Sequence, residues 1–380
     1  MRRQGFHDPR LAPGGSGVRP DPDLFDPNFP EMERWASAGV RGGLVPAESL
    51  GIKFSVTSSQ SVREIQAVID EASAASGGVA TVLFEAGTYL LDEPLRLRSN
   101  VLLRGASYES TFLNIVIRNT WNLSWLPEPF FPAGIEADGV VGGGIENLTI
   151  QYDSSLPESK NLRNGDRTFD DDPEKDNPYY VQSVVFKGCK DCWIQACRIL
   201  DAGSSPLVFV RSEHCTARWC EIVGARNKHG GMAYVNLSRS TSCLLTGLWV
   251  RDIRHVGIQN EEPAYRSDYN VIYDCDLEVD VNFHNGDSGR NLIQDNRIAI
   301  PSWHWWGPFA VGVDGRHLPP GERNILYRND AYRRRVTPYV IQVPCPDLSL
   351  AYEMNSTYGA KIRPVGTPAD ETLYAIRSQI

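Results

Sequence analysis

One seven-residue pattern recurs along the middle of the chain, and it constrains the fold more than any other feature. WIQACRI (193–199), TARWCEI (216–222), LLTGLWV (244–250), VIYDCDL (271–277) and LIQDNRI (292–298) align without gaps. Their last residues, Ile199, Ile222, Val250, Leu277 and Ile298, are 23, 28, 27 and 21 positions apart. An earlier copy is GIENLTI (144–150), and a later one begins at Ile325. Each is preceded by a second short apolar run: VVFKG, PLVFV, AYVNL, VGIQN, VNFHN and FAVGV. A unit of two or three short strands cannot bury its apolar side alone, whereas stacked units share a continuous core. The expected architecture is all-β: a single-stranded right-handed parallel β-helix.

Two columns of the pattern support this register. The residue before each copy reads Cys192, Cys215, Cys243, Asn270, Asn291 and Asn324. The fifth position reads Cys197, Cys220, Leu248, Cys275, Asn296 and Asn329. Stacked strands lie about 4.8 Å apart, so like residues at one position form ladders. Cysteine suits the interior of such a stack, and asparagine can bond to the turn backbones above and below. The eight cysteines follow neither a metal-binding spacing nor a small disulfide framework. They are expected to be reduced filling residues.

At the front of the repeats, SVREIQAVIDEASAAS (61–76) has apolar residues at helical spacing, with Ser61 and Glu64 set for a capping box. This helix is expected to cap the open end of the stack, inside a β-helix spanning 56–345. Residues 1–55, rich in Pro, Gly and Asp, are expected to wrap the stem, and 346–380 to pack back on it. Acidic residues outnumber basic ones by 47 to 38 and the pI is near 5.4. That balance argues against a nucleic-acid or membrane-surface partner. No apolar run is long enough to span a bilayer, and no signal peptide is visible. A monomer is expected. Secretion would suit the function inferred below, and a cytoplasmic location stays open.

The region from about 55 to 330 resembles the pectate-lyase-like β-helix superfamily, with FEAGTYLLDEPLRLRSNVLLRG similar to its usual opening. RNKHGGMAYV (226–235), IRHVGIQ (253–259) and VNFHNGDSGRNLIQDNRI (281–298) resemble the β-helix alginate lyases of polysaccharide lyase family 31. The resemblance implies a lysine base at the N-K-x-G-G position, which is Lys228, and a tyrosine acid. It does not fix which tyrosine, and Tyr180 and Tyr234 are the candidates.

The residues themselves point the same way. Loops of variable length enter at one junction, between a motif strand and the next apolar run. That junction carries Tyr180, Lys228, Arg254, His255, and His304 among Trp303 and Trp305. Outward positions of the adjoining strand add Lys187, Arg211, Gln259 and His284. A basic and aromatic groove on an acidic body suits a polyanionic sugar chain. Uronate polymers break by β-elimination when a base removes the proton beside the carboxylate, the carboxylate is neutralised, and an acid protonates the leaving oxygen. Lys228 beside Arg254 is the expected base, with Arg254, His284 and Gln259 on the carboxylate.

No cofactor is expected. Calcium on Glu261, Glu262, Asp268, Asp274, Asp276 and Asp280, or a transition metal on His255, His284 and His304, are the minor alternatives. Two other readings stay open. One is a glycoside hydrolase using a carboxylate pair from Glu261, Asp280 and Asp287, spaced about 5 to 9.5 Å apart. The other is a carbohydrate-binding stem without catalysis.

Overall fold

The computed structural model describes residues 18–20, 22–44, 52–75, 78–119, 131–153, 179–228, 231–260, 262, 264–301, 304, 307–312, 317–333, 348–354, 362–369, 372–374 and 376–378. Within them the chain winds as a parallel β-helix whose coils contribute one strand to each of three sheets. The first sheet has 12 strands, the second 9 and the third 8 among the described residues. One coil, for example, places Trp193–Gln195 in the first sheet, Arg198–Ala202 in the second and Leu207–Val210 in the third. Every neighbour in the second and third sheets is parallel, in registers such as Ile199↔Ile222 and Val184↔Leu207.

Each recurring motif is two strands around a sharp corner. Its fourth residue takes a left-handed conformation: Ala196 (φ 50°), Trp219 (φ 52°), Gly247 (φ 61°), Asp274 (φ 51°), Asp295 (φ 56°) and Arg328 (φ 54°). For side chains other than glycine this costs about 1 kcal/mol or more each. Hydrogen bonds to the next coil continue around the bend, as in Ala196 N to Arg218 O at 3.1 Å and Trp219 N to Thr246 O at 3.1 Å. The stack thus holds each corner in a shape that a lone coil would not keep.

The expected ladders sit just inside these corners. Asn270 Nδ2 donates to Asn291 Oδ1 at 3.0 Å, and Asn291 Nδ2 to Asn324 Oδ1 at 2.9 Å. Asn296 Nδ2 reaches Asn329 Oδ1 at 3.0 Å and the Gln294 carbonyl at 2.9 Å. The cysteines occupy the same columns, fully buried, and Cys197 and Cys220 donate to the carbonyls two residues back at 3.2 and 3.3 Å. The described cysteines are all unpaired thiols.

The helix Val62–Ala74 closes the end of the stack. Ser61 and Glu64 form the expected capping box, and Val62, Ile65, Ile69 and Ala72 are buried against the first coils. The described part of the amino-terminal segment runs down the outside of the first sheet. Met32 and Trp35 pack on Val271, Leu292 and Ile325. Trp35 Nε1 donates to Arg290 O at 2.7 Å, Gly39 N to Ser242 O at 2.8 Å, and Leu44 meets Trp193. At the other end Ala351–Met354 joins the first sheet antiparallel to Ile325–Tyr327, and Ile362–Gly366 pairs with it in turn.

Candidate functional site

The site lies where the second sheet turns into the third, the corner that admits the variable loops, and spreads onto the outer face of the third sheet. Strand alternation decides what reaches that face. Val235, Leu237, Val256, Ile258, Val281 and Phe283 point into the core. Their neighbours point out and stack by register, with Tyr234 beside His255, Asn236 beside Gly257, and Ser238 beside Gln259. In the next coil Gly257 faces Asn282 and Gln259 faces His284. The result is a polar grid in place of a repeated column.

Asp280 is its hub. Its Oδ1 lies 2.6 Å from His255 Nδ1 and 3.1 Å from His304 Nε2, while Asn282 Nδ2 donates to Oδ2 at 3.2 Å. Three successive coils thus converge on one carboxylate, with His255, Asp280 and His304 each at most 2% exposed. Burial lowers the His255 imidazole to about 4, outweighing the pull of Asp280 that would raise it. Burial alone would raise Asp280. The charges and hydrogen bonds of His255 and His304 outweigh it and hold the carboxyl below its ordinary range. These opposing pulls leave a neutral imidazole donating Nδ1–H to an anionic carboxylate, with its lone pair at Nε2. His304 Nε2 faces two acceptors, Asp280 Oδ1 and the Arg254 carbonyl at 2.7 Å, so it carries the proton.

Among the described residues this trio is the group whose donor types suit a metal ion, its ligand atoms all within 4.8 Å of one another. A separation of 2.6 Å between Nδ1 and Oδ1 is a charge-assisted hydrogen bond. Of the acids considered for calcium, Glu262 takes Arg211 and Arg239, Asp268 takes Arg266, and Asp276 takes Arg297, while Glu261 lies outside the described residues.

Tyr234 leans across Gly257 and meets His255 edge-on with ring centres 4.8 Å apart. A Cβ on Gly257 would lie 3.1 Å from the Tyr234 ring, so the missing side chain is what lets the ring lie there. On its other side the ring is 6.5 Å from His284, which packs on His317 at 4.1 Å. Burial, with the charges of His317 and His255, lowers His284 to about 3.

The structure brings Tyr234, Arg254, His255, Gln259, His284 and His304 into this one region, with Lys228 beside them. Lys228 adjoins Arg254, and its amine is engaged by an acid. Its Nζ pairs with Asp252 at 2.9 Å, and Arg254 Nη1 bonds its carbonyl oxygen at 2.8 Å and so is not an unattached cation beside its amine. Tyr180 is buried against Phe131 and Met232. It sits two coils, about 10 Å, from Tyr234 along the stack. Lys187 stands in the row of Gln259 and His284 but three and four coils away along the stack, and Arg211 follows that row one coil on from Lys187; they pair with Asp138 at 2.8 Å and Glu262 at 2.9 Å. They do not join the cluster. Trp303 and Trp305 lie outside the described residues.

The hub role of Asp280, the amide of Asn282 and the close approach at Gly257 were not anticipated. A signal was present: in VDVNFHN (279–285) the alternate residues Asp280, Asn282 and His284 are polar while Val279, Val281 and Phe283 are apolar. The carboxylates considered for hydrolysis are otherwise engaged or undescribed. Asp280 is held by the two histidines. Asp287 is buried in a turn, accepting from Asn324 Nδ2 and Gly289 N at 2.8 Å, and Glu261 lies outside the described residues.

No protein-family model matches the sequence, and no curated protein matches it. Solved structures with a similar winding include an exopolygalacturonase from Thermotoga maritima, at 12% identity over 80% of this chain and 84% of that one, with a TM-score of 0.46. A polygalacturonase from Erwinia carotovora is similar at 14% identity over 74% and 85% of the two chains, TM-score 0.46. A mannuronan C-5 epimerase module from Azotobacter vinelandii is similar at 14% identity over 71% and 72%, TM-score 0.43. Likeness at this level concerns the winding of the chain and not its chemistry.

Proposed function

We propose that the protein is a polysaccharide lyase that cleaves a uronate-containing polymer, such as alginate or polyglucuronate, by β-elimination. The observation that carries this reading is the neutral His255, oriented through Nδ1 by Asp280 and standing edge-on to Tyr234. A base must be unprotonated and aimed: burial keeps the imidazole neutral, and the carboxylate behind it fixes its orientation. In the proposed step His255 Nε2 takes the C5 proton, electrons move to form the C4–C5 double bond, and the C4–O bond breaks as Tyr234 protonates the leaving oxygen. Arg254, Gln259, Asn282 and His284 supply donors for the substrate carboxylate as charge develops. Lys228, paired with Asp252, draws the polyanion to the corner in place of serving as base. The resemblance of residues 226–235, 253–259 and 281–298 to β-helix alginate lyases supports the same reaction class.

The test is a panel of alginate, polymannuronate, polyguluronate, polyglucuronate, pectate and hyaluronan, read at the ultraviolet absorbance of unsaturated uronate. At least one polymer should give that product. Asn at position 255 keeps an N–H for Asp280 and removes the base, so His255→Asn should lower kcat by about 10²-fold or more. Lys228→Ala should act mainly on KM. Loss of turnover in Lys228→Ala with activity kept in His255→Asn would return the base role to the lysine. New reducing ends without the absorbance would mean hydrolysis instead.

A further inference from the structure

On the opposite side of the stem, under the amino-terminal segment, one cation lacks the partner that its burial calls for. Arg218 projects from the outer face of the first sheet. Its guanidinium lies 3.8 Å over the Trp219 ring, and Nη2 donates to Gln195 Oε1 at 2.9 Å. Nε is buried without a hydrogen-bond partner, and no carboxylate forms an ion pair with the group among the described residues. Glu146, in the same column, is occupied by Trp193 Nε1 at 2.9 Å and by Gln195. Burial lowers the arginine to about 10. Glu146 acts on this half-buried guanidinium only through space, and a cation drawn from water without a contacting anion is costly.

The same guanidinium borders a cavity of about 150 Å³ between the segment and the sheet, whose walls include Val40, Gly42, Leu44, Thr216, Leu244 and Tyr374. A water occupies about 30 Å³ of liquid, so the space suits a few waters or one small molecule and excludes an oligosaccharide. The guanidinium fork matches a planar oxyanion, and the aliphatic walls favour one carrying a carbon skeleton.

We propose that this cavity binds a small carboxylate through Arg218, at a site separate from the catalytic corner and independent of the reaction assigned there. The occupant ties the amino-terminal segment to the first sheet by lying between them.

Thermal unfolding at constant ionic strength tests this, with sodium glucuronate and sodium phosphate as probes and glucose as the neutral control. The midpoint of the unaltered protein should rise with anion concentration and stay flat with glucose, because a ligand that binds only the folded state stabilises it by mass action. A rise with glucuronate alone identifies a sugar acid as the ligand class, and an equal rise with phosphate identifies oxyanions at large. Arg218→Met should abolish the rise and, without anion, unfold no earlier than the unaltered protein, because an uncompensated charge has gone. If that variant does not fold, Arg218→Lys keeps the charge without the fork and should show a weaker rise. His255→Asn should respond like the unaltered protein. The proposal fails if neither anion shifts the midpoint, if Arg218→Met or Arg218→Lys responds fully, or if His255→Asn loses the response.

Discussion

Two sets of buried polar residues in this stem look alike in composition and differ in how they bond. At the inner corners Asn270, Asn291 and Asn324 each meet their own kind one coil away, side chain to side chain and side chain to backbone N–H. On the outer face of the third sheet His255, Asp280, Asn282 and His304 meet residues unlike themselves. The ladder answers a need that every coil repeats, the satisfaction of corner backbone groups, so the same residue recurs. The grid occurs once, and no backbone requirement explains a carboxylate that gathers two imidazoles. A repeating structure therefore separates the two roles: what repeats with the coil supports the stack, and what breaks the repeat is left to chemistry.

The sharpest way to break that comparison is to cut both sets and ask which property moves. His255→Asn should lose turnover by about 10²-fold or more while unfolding close to the parent, because Asp280 keeps a donor. Asn291→Ala should do the reverse. It strips acceptors from Asn270 N and Nδ2 and a donor from Asn324. A buried group left unsatisfied costs about 1–3 kcal/mol, so the loss should be about 3 kcal/mol in denaturant unfolding, with turnover per folded molecule nearly unchanged. If Asn291→Ala damaged kcat more than stability, the division of roles drawn here would not hold.

An effect of similar size comes from pH. An exposed histidine titrates near 6.5 and His255 in the fold near 4, so the folded value is depressed. Between those limits the unfolded chain takes up a proton that the folded chain refuses. Stability should therefore fall as pH drops from 6.5 to 4, by about 3 kcal/mol for this group alone. Asp280, held below the ordinary carboxylate range, keeps its contribution through that window and loses it only in stronger acid. The acid limb of kcat/KM should likewise lie near 4. An acid limb at 6.5 would mean an imidazole that water reaches freely, and the dyad would lose its role.

The fold was legible because its requirements recur. Five gapless copies, the Cys-to-Asn columns and the Ser61–Glu64 box each repeat a signal or match a local rule. The site was legible only in part. Spacing of the copies located the corner, and with it Arg254, His255 and His304, while Tyr234 entered as a candidate through the family resemblance. Which groups bond there depends on partners 24 to 51 residues away, such as Asp252 for Lys228 and Glu262 for Arg211. No local pattern announces those pairs. Lys187 and Arg211 were placed in the groove because outward alternation is a property of a strand. Their distance from the cluster along the axis, and the acids that occupy them, are properties of the stack.

The smallest effect tests the ladder from its cysteine end. Cys220 and Cys197 fill the column that Asn296 and Asn329 fill further along, but their thiols bond only weakly to carbonyls, Cys220 to Arg218 O at 3.3 Å. If the column needs hydrogen bonds everywhere, Cys220→Ala should cost as much as Asn291→Ala. If the cysteines mainly occupy space, the loss reduces to a small cavity and a weak contact, about 1 kcal/mol. The burial of Cys275, whose thiol is pushed up to about 12, favours the second outcome, since such a group offers no thiolate. In the native state these thiols should then resist alkylation at neutral pH and react only on unfolding. Rapid native-state labelling of Cys220 or Cys275 would show that the stack opens at these corners, and that the asparagine end alone holds it shut.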